Sequence, residues 1–290
     1  MKSIYKLTSA ILAFTMVFVT SILKAQDSQN EKIGLTVGLD YVSNYIYRGT
    51  YYYLGDITNG GLFSPYVSYN LFNTGLTASV KGEIVETWIW GEKDEQTYAS
   101  RLNSIDFNIN YMYNLKDSVT FNLGSWYYRL KTIQDVPSYN PSFFDLYFSA
   151  TIDAFPLTPM LAITYSYFTD KDYACGPNGN FKNGDFYIQL GISHSFELDD
   201  ETYFDLAAIA GWYDKNAYDF RVVKANKNNS ADISDIDLSA GLTTIVGTLT
   251  LSTSFHYVII PGTQYKETRY EGGCIDRHKF YAKFGVSCSI

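Results

Sequence analysis

The sequence predicts an all-β protein: a transmembrane antiparallel up-and-down β-barrel of about twelve strands, preceded by a cleaved signal peptide. Three observations predict it. Apolar and polar residues alternate with period two along almost the whole chain, as they do in a strand with one face in an apolar medium and the other in water. Short and long connections alternate strictly between these runs, the asymmetry of barrels with short periplasmic turns and long outer loops. Aromatic residues make up 17% of the 290 residues, 27 of them tyrosine, while charged residues are only 18%. A ring with a polar tip suits the headgroup level of a bilayer.

At the N-terminus, Lys2 and Lys6 make a positive start, residues 7–23 are mostly apolar, and Ala25 offers a small residue for cleavage. This order is that of a secretory signal peptide, so residues 1–25 are assigned to it and residues 26–290 to the barrel domain. No cysteine lies at the junction, which argues against a lipoprotein anchor. A single N-terminal membrane helix is the competing reading of the same stretch; no other stretch approaches the roughly 20 apolar residues that a spanning helix needs. Loss of Lys2, Lys6 and Lys24 with the leader leaves 19 of the 22 Lys and Arg against 30 Asp and Glu, a charge of −11 with His neutral. Nucleic acid is excluded as a partner on these grounds, because its phosphates demand a basic surface. Attachment to anionic lipid by charge alone is excluded in the same way.

Twelve alternating runs follow in order. The first sets Ile33, Leu35, Val37, Leu39 and Tyr41 against Gly34, Thr36, Gly38 and Asp40. The second sets Phe63, Pro65, Val67, Tyr69 and Leu71 against Ser64, Tyr66, Ser68 and Asn70. The same pattern marks residues 76–84, 105–113, 119–123, 144–152, 161–167, 186–196, 204–212, 236–242, 249–257 and 280–290. Runs of this length match the 9–11 residues or so that a tilted strand needs to cross a bilayer. Tight turns are predicted at Asn73-Thr74, Lys116-Asp117, Leu157-Thr158-Pro159, Asp199-Asp200-Glu201 and Gly247. Long loops are predicted around 49–61, 91–101, 131–142, 170–184, 214–234 and 260–278. Both termini then fall on the short-turn side. Trp88, Trp90, Trp126 and Trp212, with Tyr127 and Tyr128, are expected in an outer aromatic belt, and Phe72, Tyr113, Phe155, Phe196 and Phe204 in an inner one. The competing fold, a soluble β-sandwich or barrel, would put the apolar phase inside and would have to protect its edge strands.

The segment Val42-Ser43-Asn44-Tyr45-Ile46-Tyr47-Arg48-Gly49 resembles the S-x-Y-x-x-R-G signature of the TorF-type porin family, with Ser43, Tyr45, Arg48 and Gly49 matching. The resemblance extends over about residues 33–72, where Pro65-Tyr66-Val67 stands at the position of that family's second strand. It implies an outer-membrane barrel. The alternating last strand, which ends at Ile290 where many such barrels end in an aromatic residue, resembles the signal that these proteins present to the barrel-assembly machinery. That machinery and outer-membrane lipid are the expected partners.

No G-x-S-x-G elbow, H-E-x-x-H motif or phosphate-binding glycine loop occurs. The chain is expected not to be an enzyme and to carry no cofactor or metal site. His256 and Ser254 share the lumenal phase, whereas a barrel-embedded lipase needs its pair on the outer surface; His194 falls on the apolar phase. Cys175 and Cys274 lie in outer loops, where an oxidising setting permits a disulfide, although the two loops are not neighbours. Cys288 has lipid-facing phase and reads as a free small hydrophobe.

The pore-lining candidates are Asp40, Asn44, Arg48, Lys81, Glu83, Asp106, Asp145, Asp153, Asp205, Asp237, His256 and Lys283. Acids outnumber bases among them, and acidic rings favour cations. Arg48 is either a fixed charge at a constriction or a salt-bridge partner of Asp40 or Glu83. The lumen itself is either a narrow pore or a polar plug. The expected function is a passive porin-like channel for small polar or cationic solutes in the cell outer membrane of a Gram-negative bacterium. The alternative is a closed barrel that displays its loops for adhesion or partner binding.

Overall fold

The computed structural model describes residues 34–43, 46–47, 50–51, 61–71, 74–90, 96–116, 118–130, 142–168, 185–213, 232–261 and 278–290. The expected signal peptide, Asn44, Arg48, Cys175 and Cys274 lie outside the described residues. The strands are β1 (Leu35–Val42), β2 (Ile46–Tyr47), β3 (Thr50–Tyr51), β4 (Leu62–Asn70), β5 (Leu76–Trp90), β6 (Gln96–Leu115) and β7 (Val119–Leu130). They continue as β8 (Ser142–Ile152), β9 (Thr158–Phe168), β10 (Asp185–Asp199), β11 (Thr202–Tyr213), β12 (Asp232–Val246), β13 (Leu249–Ile259) and β14 (His278–Ser289).

Twelve of these strands, β1 and β4 to β14, form one closed antiparallel barrel in chain order. With an even number of antiparallel strands, the first and last run in opposite directions and can pair. They do so from Thr36↔Ser289 to Val42↔Lys283. The seam is clamped at both ends: Ile290 N donates to Leu35 O at 2.8 Å, and Ala282 N donates to Ser43 Oγ at 2.9 Å. Among the described strands of the barrel no edge is left unpaired, which is the condition for a sheet to stand in hydrocarbon.

The protein is apolar outside and polar inside. Ile109, Leu123, Phe255 and Phe280 are 60%, 59%, 64% and 75% exposed, while Asp106 and Asp145 on the other phase are 0% and 1% exposed. A soluble sandwich would show the reverse. An exposed apolar band of this extent exceeds the few hundred Å² tolerated on a soluble monomer and identifies lipid as its solvent. Outward rings also pair across strands: Tyr127 lies 6.3 Å from Phe107 and 4.7 Å from Phe144, and Phe196 lies 6.2 Å from Phe204; within β10, His194 meets Phe196 edge-on at 4.3 Å.

The turns after β10 and β12 fall at the expected positions, whereas the turn expected at Leu157-Thr158-Pro159 lies earlier, at 153–157, because Thr158 and Pro159 already belong to β9; Asn73 and Asp117 of two further expected turns lie outside the described residues. Gly247 takes φ +63 between β12 and β13, a conformation open to glycine at little cost. Thr74 Oγ1 donates to Leu71 O at 2.7 Å and closes the β4–β5 turn. In the turn after β10, Glu201 N donates to Asp199 Oδ1 at 2.9 Å, which holds that carboxyl below its ordinary pKa.

Three further expectations are corrected. The loop expected around 49–61 is entered by a two-stranded hairpin, in which Ile46 pairs with Tyr51 and Tyr47 with Thr50. The loop expected over 91–101 is mostly strand, because β5 runs to Trp90 and β6 starts at Gln96 with Trp90 and Gln96 paired. Its charged and polar residues break the apolar alternation while the backbone ladder continues. Trp126 and Tyr128 leave the outer belt, because Trp126 pairs with Asn108 and Tyr128 with Asp106, whose side chains point inward. Cys288, by contrast, is the free small hydrophobe expected: it keeps its outward phase and is 5% exposed, with Thr248 Oγ1 3.4 Å from its sulfur.

Candidate functional site: the lumenal wall

The inward phase of each strand supplies the lumenal wall, and three features of local sequence shape it. Tyrosines on the polar phase face glycines: Tyr66 pairs with Gly38 and Tyr147 with Gly124. A Cβ on either glycine would overlap the tyrosine ring, so the ring lies flat across its neighbour. Tyr187 covers Gly211 in the same manner. A bulge at Gly211/Trp212 leaves Ser234 as the extra residue between Ile233 and Asp235. As a result, Ser234 Oγ donates to the adjacent Asp235 carboxylate.

Polar contacts then knit neighbouring strands. Lys81 Nζ lies 2.8 Å from Glu83 Oε1 and 3.4 Å from Asp106 Oδ2. Ser104 Oγ donates to Glu83 Oε2 at 3.1 Å. The same ammonium stands 5.4 Å from the centroid of Trp126. Asn108 Nδ2 donates to the Tyr147 hydroxyl at 3.1 Å. Asp145 accepts from Ser166 Oγ at 2.5 Å. The Tyr187 hydroxyl donates to Asp235 at 3.1 Å. The Tyr281 hydroxyl donates to Asp237 Oδ2 at 3.0 Å.

Most expected lumenal residues therefore face inward, but in separate groups rather than one ring. Lys81, Glu83 and Asp106 form one cluster on β5 and β6. Asp40 lies over Gly285, where a Cβ would stand 2.9 Å from its Oδ1. Lys283 Nζ sits 5.6 Å from the Tyr281 ring centroid. Asp237 and His256 meet on β12 and β13. Asp205 sits near the short-turn mouth, where it accepts from Ser195 Oγ at 2.6 Å and Thr243 Oγ1 at 3.1 Å. Asp153 is not within a strand but in the turn after β8, exposed, and accepts from Thr120 Oγ1 at 2.8 Å. The proposed pairing of Arg48 falls outside the described residues; Glu83 is engaged by Lys81 and Ser104.

Ser254, His256 and Asp237 stand in triad order. Ser254 Oγ lies 2.9 Å from His256 Nε2, and His256 Nδ1 lies 3.0 Å from Asp237 Oδ1. The distances match those of a nucleophile, a base and its orienting acid. The other half of such a centre is missing from the strand. β13 is paired on both sides, to β12 and β14, so its backbone N–H groups around Ser254 are taken up by ladders and cannot converge on an oxyanion. The His256 ring is also stacked on Tyr281 at 4.4 Å with an 8° interplanar angle. The arrangement ties three strands together. Among the described residues, no group of three His, Cys, Asp or Glu is placed to hold a metal ion.

Between these groups lies a cavity of about 420 Å³. Trp126, Tyr128, Tyr147, Tyr187 and Tyr281 line it, together with Asp145, Asp235 and Asp237. Sequence reading missed the aromatic part of this wall. The signal was present in Tyr66 and Tyr147, which fall among serines and aspartates on the polar phase. It was absent in Trp126-Tyr127-Tyr128, where three adjacent rings hide the phase.

No family model matches the sequence, and no curated protein matches it. Solved structures do resemble it. A NanC porin is 12% identical with a TM-score of 0.50, over 88% of this chain and 100% of that one. An outer-membrane channel from Pseudomonas putida F1 is also 12% identical with a TM-score of 0.50, over 91% of this chain and 98% of that one. At this identity the likeness is one of fold, and the chain has the porin-like fold of an outer-membrane β-barrel.

Proposed function

We propose that the protein is a passive channel of the cell outer membrane that admits small polar or cationic solutes. The observation that carries this reading is the lumenal wall: a polar, carboxylate-rich surface enclosing a cavity of about 420 Å³ inside an apolar shell. Twelve strands give a bore between filled eight-stranded barrels and open sixteen-stranded porins. The resemblance of Ser43, Tyr45, Arg48 and Gly49 to the TorF-type porin signature supports the same reading. So does the excess of acids over Lys along the wall, which favours cations electrostatically. No enzymatic role is assigned, because the Ser254–His256–Asp237 group lacks backbone oxyanion donors.

Purified protein in planar bilayers should give discrete conductance steps, with a reversal potential of cation-selective sign across a KCl gradient. A barrel that stays silent at high protein density overturns the proposal. That outcome would favour the closed, loop-displaying alternative, which draws support from the burial of Ser104, Asp106 and Asp145 at 0%, 0% and 1% exposure.

A further inference from the structure

We infer that Glu83, Asp106 and Trp126 form a site for a primary ammonium, that the protein fills it with its own Lys81, and that this tethered cation sets how the pore responds to cations. The inference deepens the channel reading and rests on it for its last clause.

The site is built by successive strands. Lys81 and Glu83 are two residues apart on β5 and so share its lumenal face. Asp106 of β6 is the cross-strand partner of Lys81, and Trp126 stands on β7. Their contacts converge on Lys81 Nζ: Glu83 Oε1 at 2.8 Å, Asp106 Oδ2 at 3.4 Å and the centroid of the Trp126 ring at 5.4 Å. An ammonium is all donor and has no acceptor, and a pair of carboxylates with an aromatic face suits it on each side. Ser104 Oγ donates to Glu83 Oε2 at 3.1 Å, which leaves the other oxygen, Oε1, for the ammonium. A shift of register at Glu83/Ile84 interrupts the β5–β6 ladder beside the site, and such a bulge re-aims the side chains next to it.

Burial sets this group apart from a surface ion pair. The side chains of Glu83 and Asp106 are 3% and 0% exposed, and that of Lys81 is 25% exposed. Neither Asp106 oxygen accepts a well-directed hydrogen bond, so the neighbouring ammonium is what compensates the burial of its charge. With Lys81 in place the two acids have almost no accessible surface, and a cation in the lumen reaches them only by displacing it. A tethered group wins that competition because its effective concentration at the site is high. Trp126 links the site to the passage, since its ring also lines the cavity of about 420 Å³.

The test uses the full-length barrel and n-propylammonium, which supplies the atoms from Cγ to Nζ that Lys81→Ala removes. In planar bilayers, propylammonium should reduce the current of Lys81→Ala at a concentration roughly 10- to 100-fold below that needed for wild type or for Lys283→Ala, the range for hydrogen bonds to a charged group. Lys283→Ala takes the same charge from the wall but leaves the site filled. Equal sensitivity of the two variants would mean that charge alone matters, and overturns the inference. So does undiminished sensitivity in Lys81→Ala/Asp106→Asn. The urea midpoint of heat-modifiable migration is a readout that needs no current. Lys81→Ala should lower it, and propylammonium should raise it again, whereas potassium and tetramethylammonium, which have no N–H to donate, should not. If Lys81→Ala folds only in propylammonium, that dependence supports the site. Failure of propylammonium to raise either the midpoint or the folded yield above that in potassium chloride overturns it. The two readings fail separately. A silent wild-type barrel whose Lys81→Ala variant is stabilised by propylammonium removes the channel and keeps the ammonium site. Conducting variants with no propylammonium effect keep the channel and remove the site.

Discussion

At the scale of single residues, the lumen is organised by pairs of unlike size. Tyr147 can lie across the wall because Gly124 opposite it has no side chain, and its hydroxyl then reaches Asn108 two strands from its own. Gly124→Val should therefore destabilise the barrel by about 1–3 kcal/mol, the usual cost of overpacking. A lowered urea midpoint of heat-modifiable migration measures it; an unchanged midpoint would show that the ring swings away freely. The Ser254–His256–Asp237 group has the distances of a triad, but the strand carrying Ser254 is paired on both sides. The wild-type protein, incubated with a fluorophosphonate, should show no adduct on Ser254 by mass spectrometry. Labelling of Ser254 that disappears in His256→Ala would reverse the non-enzymatic reading.

At the scale of elements, a strand is two surfaces in different solvents. On β13, Phe255 is 64% exposed to the apolar side, while Ser254 and His256 beside it face the lumen. Phe255→Arg near mid-strand should cost about 2–4 kcal/mol, the penalty for Arg at the bilayer midplane. Ser252→Arg on the lumenal phase, close to Asp40 across Gly285, should cost much less. Refolding midpoints in lipid vesicles compare the two; equal penalties would contradict the assignment of faces. The strands also show where alternation stops being a guide. β6 extends to 20 residues, about twice the apolar run that announced it. Its N-terminal part continues the ladder with β5 after the apolar signal has ended. Backbone pairing requires only a neighbour, whereas the periodic signal requires that one face meet hydrocarbon.

At the scale of the whole molecule, closure joins residues far apart in sequence. Val42 packs against Val258, Ile260 and Tyr281 because β1 and β14 meet at the seam. The cavity, likewise, draws its walls from β7 to β14. The strand count, the turns after β10 and β12, and the inward phase of Lys81 and of the acids Asp40, Glu83, Asp106, Asp145, Asp205 and Asp237 were legible in the sequence. All of them are local properties: a side chain's face follows from its parity, and a turn follows from residues such as Gly247 or Asp199 that close it. What only the tertiary structure decided is which lumenal groups meet. Lys81 joins Glu83 and Asp106, Asp237 joins His256 and Tyr281, and Trp126 turns inward to the cavity while Tyr127 turns out to lipid. Cross-strand register determines these contacts. Register is set by the turns and by the pairing of neighbouring strands, and the period-two pattern of any one strand restricts it only to shifts that keep each face, without choosing among them.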